Sequence, residues 1–274
     1  MSLGNIDLDE IARARDVLEH PSLALRITDL AGRPIEAVVR RLPDPAQQAI
    51  VEGMQKGLSA ALDVALETLD SRRATPADRL HRGIVMATGA FGGLAGIFGL
   101  VLELPVSLTV MLRSIAEHAR AQGEDLTDLA NRLECLAVFA YGSRSKADDA
   151  AEAGYFAVRA AMARAVSQAA RYVAERGVAT AAGEKAPPAL FRLVTSIAQR
   201  LGVALTDKAA AQLVPLVGAA GGAAINALFM SHYQDVAWAH FTLRRLERAH
   251  GADAVRSAYE EEAATWRRDR TRGS

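Results

Sequence analysis

One cysteine, Cys135, is all the thiol the chain carries, so it holds no internal disulfide and no cysteine zinc knuckle. A lone thiol fits a reducing compartment. Charge of one sign is also missing: 32 basic and 32 acidic side chains cancel. That argues against nucleic acid as a partner, which asks for a basic excess on one face. The start, MSLGNIDLDEIARARD, has no basic segment leading into an apolar one, so no signal peptide is expected. Catalytic signatures are absent too. There is no HExxH, no P-loop lysine and no Gly-x-Ser-x-Gly elbow. Neither a metal nor a cofactor is expected. Aromatic residues make up only 5% of the chain, and β-branched runs are scarce.

Alanine, the best helix former, makes up about a fifth of the 274 residues. The chain therefore reads as all-α and cytoplasmic, a single large helical bundle built around a glycine-rich hydrophobic helical hairpin. Capping residues and prolines divide it. Asp7 caps a first helix ending near His20-Pro21. Short helices end at Gly32 and Leu42, and Asp44-Pro45 opens one running to about Asp70. Thr75-Pro76 opens the glycine-rich helix. Pro105 restarts it after a corner at Glu103-Leu104, because the residue before proline is pushed out of helical geometry. The helix then ends at Gly123. Thr127 caps the next, to about Tyr141, and a long helix covers about Ala147 to Ala174. A flexible loop is expected at 181–189, then helices over Pro188–Leu201 and Asp207–Leu213. A long helix after Pro215 ends at His250-Gly251, and a last one covers Ala252–Arg268. The domain reading is an N-terminal helix, 1–22, followed by one helical domain, 23–268.

The stretch GIVMATGAFGGLAGIFGLVLELPVSL, residues 83–108, carries one charge, Glu103. Gly89, Gly92, Gly93, Gly96 and Gly99 share one helical arc of roughly 120°. Each glycine in a helix costs on the order of 1 kcal/mol against alanine, so close helix packing must offset the stripe. Gly218, Gly221 and Gly222 offer a second, shorter smooth patch, closed by Ile225. The two patches are candidates to pack on each other. Residues 84–102 as a straight helix reach about 28 Å, near the roughly 30 Å of a hydrocarbon core. The return path, Val106 to Leu112, is too short to cross back. The residues favour a buried core first, then a hairpin dipping into or lying on a membrane, and least a true span.

Polar residues that interrupt apolar faces are the site candidates. Glu103 ends the greasy stretch and is either paired, for example with Arg113, or functional. Asn226, Tyr233 and His240 are spaced by seven and line one stripe, with Arg244 one turn beyond and Arg245 beside it. His232 and Asp235 share a neighbouring face. His232 and His240 stand eight apart, which does not suit one metal ion. Ser143, in the loop YGSRSK, has no nucleophile context.

TGAFGGLAGIFGLVLELPVSLTVMLRSIA, GEDLTDLANRLECLAVFAYG, AGYFAVRAA and the block from Lys208 to Gly251 together resemble the EcsC protein family of bacteria. The resemblance runs from about Leu23 to Tyr259. Its acid-Leu-Pro pattern is matched by Glu103, Leu104 and Pro105. Its later block is matched by Gly221, Gly222, Asn226, Phe229, His232, His240, Arg244 and Arg245. AYGSRSK departs from it, lacking a second glycine. The resemblance implies a helical protein, soluble or membrane-associated, in a family named for a member encoded beside an ABC transporter.

Three functions stay open. The first is a lipid- or acyl-binding protein in peripheral contact with the inner membrane, serving envelope transport. It draws on Arg113, Asn226, Tyr233, Arg244 and Arg245 as ligand contacts. The second is a hydrolase, with or without a metal, using Glu103 with His232 or His240. The third is a structural module, such as a homodimer formed through an alanine-rich helix.

Overall fold

The computed structural model describes residues 3–19, 44–69, 78–142, 154–176, 188–212 and 218–272. Its elements are α1 (Asn5–Glu19), α2 (Asp44–Glu67), α3 (Asp78–Ala121), α4 (Leu129–Tyr141), α5 (Tyr155–Arg176), α6 (Pro188–Gln212), α7 (Gly218–His250) and α8 (Ala252–Arg272). The protein is all-α, with no strand among the described residues. The short helices expected before Leu42 and the loop at 181–187 lie outside the described residues, as does Ser143.

Local chemistry sets most helix ends. Gly4 N–H donates to Asp7 Oδ2 at 2.9 Å, so α1 starts ahead of Asp7 and the carboxylate sits in its first turn. Asp128, not Thr127, is the N-cap of α4: its Oδ1 accepts from Ala130 N at 2.9 Å, while Thr127 is engaged by Asp125. Gly123 and Gly251 have φ of +80° and +91°, the left-handed conformation that ends a helix at little cost only for glycine. The break expected between Leu201 and Asp207 is absent; α6 continues through it.

Helix α3 is the largest departure from a simple reading. Its backbone is helical from Asp78 to Ala121, straight past Pro105, so there is no corner at Glu103-Leu104. Yet Asn226 Nδ2 donates to both Val85 O at 2.7 Å and Glu103 Oε1 at 2.6 Å. Thr88 Oγ1 and Ser107 Oγ stand 3.3 Å apart. Eighteen residues of straight helix would hold Val85 and Glu103 about 27 Å apart. The element therefore folds back on itself within the glycine-rich stretch, as a helical hairpin whose base is clasped by Asn226. Proline removes one backbone bond from the second arm, but the chain reverses upstream of it.

The arms of α3 pack chiefly against α7 on one side and α2 on another, with α4, α5 and α6 completing the bundle. The approach of α2 to α3 is closest at Gly57, where a Cβ would lie 2.7 Å from Leu108 Cδ1 and 3.2 Å from Leu104 O. Of the glycines picked out from the sequence, Gly222 is buried and Gly221 half-buried. The side-chain faces at Gly89, Gly92, Gly93, Gly96, Gly99 and Gly218 lie outside the described residues. Helix α1 is strapped to the bundle by Arg245 on Glu10, by His250 Nε2 3.3 Å from Asp7 Oδ2, and by Arg13 stacked 4.3 Å over Trp238. Glu19 Oε1 accepts from Tyr155 N at the start of α5 and from Tyr259 OH. The core centres on Phe139, Phe229, Tyr233 and Phe241, all essentially inaccessible.

Candidate functional site

Two polar clusters interrupt this core, and α7 contributes to both. The first is the hairpin base. Glu103 is 5% exposed, and its Oε1 also accepts from Ser107 Oγ at 3.2 Å, one helical turn along. Thr88 Oγ1 donates to Val85 O at 2.9 Å and meets Ser107. Asn226 is fully buried, and its Oδ1 has no hydrogen-bond partner among the described residues. A carboxylate, an amide and two hydroxyls thus meet in this buried cluster. Arg113 is not part of it: its Nη2 donates to Thr68 Oγ1 at 3.0 Å, on the exposed side of the second arm.

The second cluster lies further along α7. His240 is fully buried, with Nδ1 2.7 Å from Tyr155 OH and Nε2 3.2 Å from Glu134 Oε1. Tyr141 OH donates to the same Oε1 at 2.6 Å. Burial outweighs the neighbouring carboxylate and pushes the His240 imidazole below its usual pKa. Neutral His240 then carries its proton on Nε2 and accepts from Tyr155 at Nδ1. Burial alone would raise the Glu134 carboxyl. Its hydrogen bonds from His240 and Tyr141, with Arg244 nearby, bring it down to about 2. Beyond Glu134, Arg244 grips Glu124 through Nε at 2.8 Å and Nη2 at 2.9 Å, and Asn131 Oδ1 at 3.1 Å. Arg248 adds a further bond to Glu124. Desolvation opposes ionisation of Glu124, but the two guanidiniums hold its carboxyl below the usual range. Arg245 turns away, to Gln122 Oε1 at 2.8 Å and Glu10.

This geometry sorts the sequence candidates. Asn226 and Glu103 meet. His240 and Arg244 fall in the second cluster, with Glu134 and Glu124. Fourteen residues separate Asn226 from His240, about 21 Å along α7, so Glu103 and His240 do not share a site. His232 is only six residues from Asn226 but is rotated about 240° around the helix, and its Nε2 lies 2.6 Å from Gly142 O. A Cβ at Gly142 would sit 2.8 Å from that nitrogen, so glycine is what lets His232 reach the backbone. Tyr233 is core, edge-on to Phe139 at 5.2 Å. Asp235 is exposed.

Glu134, Tyr141, Tyr155 and Glu124 were not foreseen. The signal for Glu134 was available: an acid inside the apolar run RLECLAVFAY, as informative as Glu103 before Leu-Pro. A cleft of about 500 Å³ opens between α4 and α5, lined by Glu134 and Arg244 among others. Tyr155, His240 and Glu134 line up as hydroxyl, imidazole and carboxylate, the order of a nucleophilic triad. Burial raises the pKa of the Tyr155 phenol well beyond its usual value, and neither Tyr155 nor His240 lines the cleft. The row is therefore built as a support behind Glu134. Cys135 is buried, which pushes its thiol upward and away from reactivity. Among the described residues no group of three or more His, Cys, Asp or Glu side chains is placed to hold a metal.

Comparison with known proteins agrees with this architecture at the level of family. The family model described as the EcsC protein family matches residues 5–246. The chain belongs to that family. The match takes in α1, the α3 hairpin with Glu103, and α7 as far as Leu246, so both polar clusters of this EcsC protein, Arg248 apart, fall inside it. No curated protein and no solved structure matches the chain.

Proposed function

We propose that this EcsC protein is a lipid-binding protein of the membrane surface, seating the tip of its glycine-rich hairpin in one leaflet. The observation that carries the reading is the outer face of the hairpin. Leu80, Gly83, Ile84 and Ala87 follow the i, i+3, i+4, i+7 pattern of a helix face, and all four are exposed. Met86 and, on the second arm, Val106 join them; the four large side chains are 39% to 54% exposed. A water-soluble helix turns such a stripe inward. Here it leads into residues 83–102, which carry no charge.

Length favours dipping over spanning. Among the described residues, no helix is long and apolar enough to cross a membrane. Folded between Val85 and Glu103, each arm extends about 14 Å, roughly half a hydrocarbon core. A hairpin of that length reaches into one leaflet and returns. Glu103 and Asn226 then stand at its root, where their mutual bond spares either from facing lipid alone. Exposed Arg79, at the start of the first arm, lies at the level of anionic head groups. Peripheral attachment at the inner membrane, in the service of envelope transport, is the setting this reading implies.

Flotation of the full chain with phosphatidylglycerol–phosphatidylcholine vesicles tests it. The wild-type protein should float. Ile84→Glu combined with Val106→Glu, both at exposed positions, should lower the bound fraction about tenfold or more, since a carboxylate in hydrocarbon costs about 2–3 kcal/mol. A wild-type chain that stays at the bottom of the gradient, or a double variant that floats equally well, defeats the reading.

A further inference from the structure

Eighteen residues of α7, about 27 Å, separate Asn226 at the hairpin root from Arg244 at the α4–α5 cleft, and what the cleft could hold does not depend on the hairpin reading. Its volume, about 500 Å³, is that of a small-molecule site. Its inner wall presents a carboxylate that is 5% exposed, Glu134. Both contacts to Glu134 fall on Oε1: the Tyr141 hydroxyl donates to it, and His240 Nε2 lies 3.2 Å away. Both donors are neutral. Among the described residues Oε2 accepts no hydrogen bond. Arg244, which also lines the cleft, is committed through Nε and Nη2 to Glu124 and Asn131. Oε2 is therefore the acceptor left for a cationic donor entering from the cleft.

The other wall supplies the opposite sign. Arg171, on α5, is exposed, lines the cleft and has no partner among the described residues. The rest of the lining is mixed: Leu129, Val166 and Ala170 are apolar, while Asp128, Asn131, Ser167 and Arg244 are polar. An inner anion and an outer cation in one small cleft define a ligand with the opposite charges at its two ends.

We infer that the α4–α5 cleft binds a small primary ammonium compound that carries an anionic group a few ångströms from its nitrogen, the ammonium on Glu134 and the anion towards Arg171. Tyr141 and His240 fix the carboxylate from behind and so are positioning residues; they do not touch the ligand. Phosphoethanolamine has this chemistry, whether free or as the head group of a lipid.

Calorimetric titration of the full chain with phosphoethanolamine tests the assignment, with ethanolamine and inorganic phosphate as partial ligands. Wild-type protein should bind phosphoethanolamine with a dissociation constant in the millimolar range or below, and each fragment more weakly. Glu134→Gln should weaken binding about tenfold or more, as expected for losing a hydrogen bond to a charged group. Ala163→Trp starts from an exposed alanine at the cleft and leaves the buried network untouched. It should block binding while circular dichroism stays unchanged, and it decides the question if Glu134→Gln does not fold. Arg171→Ala should weaken phosphoethanolamine severalfold but leave ethanolamine unaffected. No heat from wild-type protein at millimolar ligand, or unchanged binding in Ala163→Trp, overturns the proposal. Vesicles with and without phosphatidylethanolamine then separate the sources. A gain in flotation that Ala163→Trp removes assigns the lipid head group, and calorimetric binding without that gain assigns the free compound.

Discussion

Asn226 and His240 sit on one helix, both fully buried, and each holds a buried carboxylate, yet their surroundings are built on opposite principles. At the hairpin root Glu103 is met by an amide and a hydroxyl, with a second hydroxyl behind. At the far end Glu134 and Glu124 sit among two tyrosines, an imidazole and two arginines, beside an open cleft. Hydrogen-bonding dipoles around a carboxylate suit a region next to hydrocarbon, where every stray charge is expensive. Ion pairs at the edge of a cleft suit a region in touch with water and small polar solutes. The same element, α7, thus joins a dry end to a wet one. If this is correct, the two ends should respond differently to mutation and to pH.

The largest difference should come from the dry end. Asn226→Leu keeps the volume but strips Val85 O and Glu103 of a shared donor. Leaving a buried carboxylate short of its partner should cost about 3 kcal/mol in a denaturant melt. Adding Glu103→Leu removes the carboxylate that lost its amide donor, and the pair should regain most of that loss. Two costs that simply add would mean the hairpin root is not a coupled unit.

A smaller effect, confined to the wet end, should appear on acidification. The folded pKa of His240 is lowered from 6.5, so the unfolded chain takes up its proton first. Its contribution to stability is complete above about pH 6.5 and declines as the pH falls below that. Glu134 is lowered from 4.5 to about 2, and Glu124 is lowered as well. Their contributions are complete above about pH 4.5 and are lost as the pH falls towards the folded values. The melting temperature should therefore fall in two steps between pH 8 and pH 3. His240→Gln should remove the upper step and also shrink the lower one, because Glu134 loses a partner that lowers its pKa; an unchanged profile in that variant would place the upper step elsewhere.

The dry end was also the more legible from sequence. Glu103 stood out because it closes a run of uncharged residues, and Asn226 because it interrupts an alanine-glycine face. Helix termini at Gly123 and Gly251 could be read from glycine alone. The reversal inside α3 could not, because its evidence is a bond between residues 141 positions apart, Val85 and Asn226. Pro105 misled for a definite reason: a proline in a packed helix costs one backbone bond, and α2, α7 and the opposite arm hold the second arm helical regardless. The wet end was read only in part. His240 and Arg244 share the heptad stripe, whereas their partners Glu134, Tyr155 and Glu124 lie on other elements and were overlooked. Periodicity places residues on a face of their own helix and says nothing of what that face meets.

The finest test concerns one proton at the wet end. Tyr155 OH is 2.7 Å from His240 Nδ1, while Nε2 faces Glu134. A neutral imidazole has one N–H to place, and the carboxylate accepts only, so the proton belongs on Nε2. Tyr155→Phe removes the hydroxyl but keeps the ring edge-on to Tyr141 at 5.8 Å. Nδ1 is then a buried acceptor without a donor, at a cost of about 1 kcal/mol. The proton has no reason to move, because Glu134 still needs it more than an empty Nδ1 does. Nitrogen-15 shifts of the imidazole should accordingly show Nε2–H in both wild-type and variant proteins. A variant with the proton on Nδ1 would mean that Tyr155, rather than Glu134, sets the tautomer, and that the carboxylate at the cleft is held less firmly than its two bonds imply.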